Sequence, residues 1–329
     1  MTLHGFGRAA GAALIWFAAG SAGATTLSGF EAYLAFGDSL SDKGNLAKIA
    51  PELVPDPPYF KGRRSNGPVW PEAVAALFEA RGLPTGNYAF GFANATPTGP
   101  VPDLPEQVAM FAGDAASFAK RNTAATIWAG SNDILSTVGN PDTGGAFDPV
   151  LVGQAAAASV VASAAELGAL GVDHVAIFNL ADFSTVPRYT TALPQLADAV
   201  GAGSAAFNAA LTALLPGLQA SGLSVQEIDI NAFFADLLVN PATYGVKDAT
   251  IPCFFAFNPP PGGPSCDNPD DLAFYDDIHP NRVIHAQIGE IVSEAGIAPV
   301  PLPATGALLI VAGGLLAAVR YQRSIRRPA

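Results

Sequence analysis

Tyr33-Leu34-Ala35-Phe36-Gly37-Asp38-Ser39-Leu40 decides the fold. Four apolar residues read as a short buried strand, and Gly37 with Asp38 supplies the turn that ends it. Outward from here, short β-like runs alternate with longer helical ones. Strands are expected over 33–36, 124–129, 173–178 and 223–230, with a weaker one over 87–90. Helices are expected over 71–81, 105–118, 149–170, 195–215 and 282–295, several opened by proline and closed near glycine. That alternation predicts an α/β domain with a mostly parallel sheet covered on both faces. In such sheets ligands sit outside the carboxyl ends of the strands. Ser39, Gly91 and Asn132 follow three successive strand runs and fall on that edge.

A serine at that edge invites nucleophilic chemistry, which requires a base to take its proton and a carboxylate to orient the base. Phe274-Tyr275-Asp276-Asp277-Ile278-His279-Pro280 offers both. Ser39 is therefore the candidate nucleophile, His279 the base and Asp276 its orienter. The order Ser…Asp…His is shared with the α/β-hydrolases, but Ser39 is followed by Leu40 and Ser41, so the G-x-S-x-G elbow of those enzymes is absent. Asp277 competes for the orienting role and is expected to be solvated. His285, a rival base, falls in the last helical run and reads as a surface or packing residue. Ser41, Asp42 and Asn45 read as caps or braces of the turn after Ser39. Two proline-broken loops, one with Val54, Pro57, Pro58, Tyr59 and Phe60, the other with Phe254, Phe255, Phe257 and Pro259 to Pro261, are candidate walls of the substrate pocket.

The chain of 329 residues is half hydrophobic, enough for one sizeable core. A net charge of −12 argues against nucleic acid as a partner, and four of the sixteen basic residues, Arg320, Arg323, Arg326 and Arg327, crowd the last ten positions. Residues 1–24 read as a secretory signal peptide: His4 and Arg8, an apolar stretch, then Ala22 and Ala24 at an A-x-A site. The domain is expected over 25–298 and a separate tail over 299–329. The apolar run Thr305 to Val319 spans about 22 Å at 1.5 Å per residue, short of a bilayer core of roughly 30 Å but able to lodge in one with snorkelling arginines. Cys253 and Cys266 flank a Pro/Gly-rich loop; in an exported protein they read as a disulfide, with two buried thiols as the alternative. No histidine or cysteine cluster has ligand spacing, so neither metal nor cofactor is expected.

The motifs in this order resemble the SGNH (GDSL-type) esterases and lipases, over about residues 30–295. Gly37-Asp38-Ser39-Leu40-Ser41-Asp42-Lys43-Gly44-Asn45 resembles the first block of that family. Arg64-Ser65-Asn66-Gly67-Pro68-Val69-Trp70 resembles its secreted, lecithinase-like members. Gly130-Ser131-Asn132-Asp133 resembles the third block, and Asp276 to His279 the last. The resemblance implies a three-layer α/β/α sandwich with a flavodoxin-like sheet, a Ser39–His279–Asp276 triad, and an oxyanion hole formed by the Ser39 amide, the Gly91 amide and the Asn132 side chain. It departs at Phe92, where the family commonly has a second glycine. It implies hydrolysis of acyl or acetyl esters of lipid or carbohydrate. The alternatives are acyl transfer by the same triad and a surface-displayed binding protein on a non-catalytic scaffold. Val300-Pro301-Leu302-Pro303-Ala304 with its apolar run and arginines resembles a VPLPA-type PEP-CTERM sorting signal. That implies the export machinery and an exosortase-like processing enzyme as partners, membrane contact through the tail, and a final place in the cell envelope, at the surface or in the extracellular matrix.

Overall fold

The computed structural model describes residues 29–142, 146–256 and 266–300. The expected signal peptide and all of the tail beyond Val300 lie outside the described residues, as do Phe257 and Pro259 to Pro261. The elements in chain order are β1 (Ala32–Gly37), α1 (Asn45–Ile49), α2 (Trp70–Glu79), β2 (Thr85–Asn87), α3 (Leu104–Asp114), β3 (Thr123–Trp128), α4 (Ser131–Thr137) and α5 (Pro149–Ala169). They continue with β4 (His174–Phe178), α6 (Ala197–Ala220), β5 (Ser224–Ile228), α7 (Ile230–Val239), β6 (Asp248–Pro252), β7 (Leu272–Phe274) and α8 (Arg282–Glu294).

Five strands pair in the order β2-β1-β3-β4-β5, all parallel. This is the flavodoxin-like order, whose switch point lies between β1 and β3. Every residue of β1, β3 and β4 is buried, which is why these strands read as near-continuous apolar runs. The helices fall into two groups that cover the sheet from both sides. In one, α2 packs on α8; in the other, α5 packs on α6, with α3 and α4 against α5. The α5–α6 contact is close: a Cβ on Gly153 would stand 2.2 Å from the Gly203 carbonyl oxygen. Only glycine allows the two backbones to meet there.

Helix starts follow the expected chemistry. Asp148 accepts the Val150 and Leu151 amides ahead of Pro149, and Asn281 accepts the Ile284 amide. Of the boundaries that differ from expectation, three have a cause in the contacts around them. The second strand lies at Thr85–Asn87, and residues 88–90 merely run beside β1 through Tyr88 N–H to Ala35 O and Phe90 N–H to Gly37 O. Helix α6 continues past Leu215 through Pro216, because Leu215 and Leu218 are both buried in the core and outweigh one lost backbone hydrogen bond. Strand β5 stops at Ile228, where Asp229 accepts the Ala232 amide and starts α7.

Cys253 and Cys266 form a disulfide, with Cα atoms 4.9 Å apart. It adjoins the β6–β7 pair, and a second apolar cluster gathers beside it: Leu46, Val54, Tyr59, Cys253, Phe254 and Tyr275. Phe254 packs on both Tyr59 and Tyr275, at 5.8 and 5.2 Å between ring centroids. Replacing both cysteines by alanine is expected to cost about 3 kcal/mol by releasing the closed loop. It should also lower ester turnover as Phe254 loosens from the two tyrosines. Denaturant melts and an ester assay on the double variant check this; stability equal to the parent would show that the loop is held by its packing alone.

Candidate active site

The site assembles at the carboxyl end of β1. Gly37, at φ +142°, is held by the Gln107 side chain, which accepts its N–H and donates to its carbonyl, both at 2.9 Å. A Cβ at Gly37 would sit 2.1 Å from Trp128 O, so the first residue of the turn has to be glycine. Asp38 O then accepts the Ser41 and Asp42 amides, both at 3.0 Å, while Asp38 Oδ1 accepts the Leu40 amide at 3.0 Å. Among the described residues the Ser39 N–H has no protein acceptor.

Ser39 Oγ lies 2.8 Å from His279 Nε2, and His279 Nδ1 lies 2.7 and 2.8 Å from the two oxygens of Asp276. A bond between residues 240 apart in sequence thus closes the arrangement. Asp276 is fully buried. Its Oδ1 accepts the Ile278 and His279 amides at 3.0 and 2.8 Å, and its Oδ2 accepts the Tyr59 hydroxyl at 2.6 Å. Burial pushes the Asp276 carboxyl up, but the His279 ring, the Tyr59 hydroxyl and the Ile278 amide prevail and hold it well below the usual carboxylate range. It stands ionised beside the ring it orients.

Asp42 and Asn45 brace the turn, as expected. The Asp42 carboxylate accepts the Gly44, Asn45, Leu46 and Gly91 amides, at 2.5 to 3.0 Å. The last of these corrects an expectation. The Gly91 N–H donates to Asp42 Oδ2 at 2.8 Å and is not available to an oxyanion. The next amide is. Phe92 sits at φ +68°, in the left-handed region, and its N–H has no protein acceptor among the described residues. A non-glycine residue held at positive φ is strained, and such strain collects at functional sites.

From the end of β3, Asn132 Nδ2 donates to Ala93 O at 2.8 Å, which leaves its second hydrogen for another acceptor. Asp133 accepts the Ala95 and Thr96 amides at 2.6 and 3.0 Å. These two residues fix the chain just beyond Phe92. Ser39, Phe92, Asn132 and His279 line one cleft of ≈ 820 Å³, walled partly by Leu53 and by Pro58 and Tyr59 from the first of the two proline-broken loops.

Asp277 is not solvated. It is fully buried, paired with Arg188 through Nε at 2.7 Å and Nη2 at 3.0 Å, and it accepts the Ala256 amide at 3.0 Å. His285 is a buried packing residue: its Nδ1 accepts the Trp70 N–H at 3.3 Å, and burial, with the nearby His279, lowers its pKa to about 3. Tyr59 and Arg188 are contributors that no local pattern distinguishes. Among the described residues no group of three His, Cys, Asp or Glu side chains is placed to hold a metal ion.

A family model described as GDSL-like lipase/acylhydrolase matches residues 33–292. The chain is 28% identical over 310 residues to a phosphatidylcholine-sterol acyltransferase of Aeromonas hydrophila, covering 79% of this chain and 88% of that protein. It is 24% identical over 278 residues to a thermolabile hemolysin of Vibrio parahaemolyticus serotype O3:K6 (strain RIMD 2210633), covering 80% of this chain and 63% of that protein.

Asp38 supplies a pH test. Burial lifts its carboxyl from 3.8 to about 7, against the Leu40 amide, which lowers it. The neutral acid is therefore the form the fold favours. The stability this brings is complete below about pH 4 and is lost as pH rises through about 7. Asp38→Asn, which keeps an acceptor for the Leu40 amide, is expected to gain thermal stability over the parent near pH 8 and to match it near pH 4. Melting curves at the two values decide; an equal loss at both would mean that Asp38 is held as a carboxylate.

Proposed function

Since the chain belongs to the GDSL-like lipase/acylhydrolase family, and is a carboxylic ester hydrolase, we propose that it cleaves acyl esters through an acyl-Ser39 intermediate. The observation that carries this reading is the continuous relay from Ser39 Oγ through the His279 ring to a buried, ionised Asp276. His279 takes the Ser39 proton as Oγ attacks the acyl carbonyl, and Asp276 holds the ring and stabilises the imidazolium. Charge developing on the carbonyl oxygen meets the Ser39 N–H, the Phe92 N–H and the second Asn132 amide hydrogen. His279 returns its proton to the departing alcohol, and a water activated by the same ring releases the acid.

Acyl transfer is the second reading, favoured by the likeness to a relative that is named an acyltransferase. The intermediate is common to both, and only the acceptor, water or an alcohol, differs. We further propose that the protein is exported and sorted to the cell envelope, surface or matrix through a PEP-CTERM tail cut by an exosortase-like enzyme. That reading is supported by residues 1–24 and by Val300-Pro301-Leu302-Pro303-Ala304 with its apolar run and arginines.

Hydrolysis of p-nitrophenyl esters from acetate to palmitate tests the chemistry. Ser39→Ala is expected to abolish turnover, and Asn132→Ala to lower it roughly 10²–10³-fold. Phe92→Gly keeps the backbone donor and should stay within a few-fold of the parent. No turnover of any ester by the folded parent would leave the binding-scaffold reading in place of the hydrolase.

A further inference from the structure

Resting on that hydrolase reading, we infer that Arg64 is a specificity-determining residue, binding an oxyanionic substituent, phosphodiester or carboxylate, carried by the ester substrate close to its scissile bond. Arg64 lines the same cleft as Ser39, Phe92, Asn132 and His279. Its guanidinium carbon lies 4.6 Å from the centroid of the Phe92 ring and 5.1 Å from that of Tyr59, over the face of each. One of these rings belongs to Phe92, whose amide has no protein acceptor among the described residues. The other belongs to the residue whose hydroxyl holds Asp276.

The guanidinium is anchored but not neutralised. Its Nη2 donates to Leu53 O at 2.9 Å and its Nη1 to the Tyr59 hydroxyl at 3.4 Å, so two of five N–H donors are used and neither on a charge. Its neighbours differ. Arg63 grips Glu72 through Nε at 3.0 Å and Nη2 at 2.6 Å, Arg188 grips Asp277, and Arg282 grips Asp270. The two carboxylates that line the cleft, Glu52 and Asp142, form no ion pair with Arg64 among the described residues. Arg64 is thus a cation in the catalytic cleft that no carboxylate pairs with among the described residues.

Three physical points turn this into recognition. The two rings cover guanidinium surface, so a polar ligand approaches along the N–H bonds, in the plane where a guanidinium forks onto phosphate or carboxylate oxygens. The side chain is already immobilised by the rings and the Leu53 carbonyl, so little rotamer entropy is lost when a ligand arrives. The chain carries a net charge of −12, so general attraction of anions does not account for such a cation here. Arg64 is a local exception inside an acidic protein, and it lines the cleft that holds Ser39 and His279.

The test compares three substrates with the same hexanoyl ester, kept below their micelle concentrations so that lipid surfaces play no part: dihexanoyl-glycerophosphocholine, a hexanoyl ester bearing a carboxylate, and neutral dihexanoylglycerol. For the full chain, kcat/KM is expected to be higher for one or both charged esters than for the neutral one, and which of the two responds identifies the oxyanion. Arg64→Met should lower that charged-to-neutral ratio about 10- to 100-fold, the loss of a charge-assisted pair. Arg64→Lys should restore part of it. A merely structural Arg64, bracing Phe92 and Tyr59, would slow all three esters alike and leave the ratio unchanged, and that result overturns the inference. Independently of any variant, glycerophosphocholine or a short carboxylate should compete with the neutral ester in the parent; competition by neither overturns it as well. Loss of every ester activity in the parent is a different failure, that of the hydrolase reading itself.

Discussion

A carboxylate with no exposed surface has to be matched in full by its surroundings, and Asp276 sets that demand for the whole site. Four groups meet it: the His279 ring, the Tyr59 hydroxyl and the Ile278 and His279 amides. The amides come without further construction from the tight turn between Asp276 and His279. The tyrosine does not. It requires the loop around Pro57 and Pro58 to fold over the site, and that loop is held by Phe254 and Tyr275 beside the disulfide. Much of the apparatus outside the sheet can be understood as the means of burying one charge without leaving it unpaired.

Neighbouring carboxylates show how strongly position decides chemistry. Asp276 and Asp277 are consecutive and both fully buried, yet one faces an imidazole and the other a guanidinium. Asp277 ties together the segment that carries Arg188, the approach to the disulfide through Ala256, and the turn that carries His279. Near the other end of the site, Asp42 gathers amides from two loops, and this is how the turn after Ser39 and the turn that bears Phe92 are held in one geometry.

The parts of this arrangement that a sequence reveals are those enforced locally. Strands β1, β3 and β4 are legible because central parallel strands are buried on both faces and become apolar runs; β2, at the edge, is only Thr85-Gly86-Asn87 and carries no such signal. The three-residue step from Asp276 to His279 is likewise legible. Contacts that depend on tertiary packing are not. Tyr59 meets Asp276 across 217 positions, and Arg188 meets Asp277 across 89. The Gly91 amide looks available to an oxyanion until Asp42, 49 positions earlier, takes it. Each of these contacts joins a polar group to a partner from another element, and periodicity reports nothing about such partners.

Phe30 donates its N–H to Ala298 O and accepts the Val300 N–H, so the two ends of the described domain are laced together just before β1 begins. Ser39 lies beyond the opposite end of that strand, about 20 Å away for six residues at roughly 3.3 Å each. Entry and exit of the chain therefore share one pole of the molecule, and the cleft opens at the other. Tethered by either end, the domain would present its cleft away from the point of attachment. The same lacing makes it a natural subject for circular permutation, with a short linker joining the old ends and new ones opened in a surface loop remote from the serine.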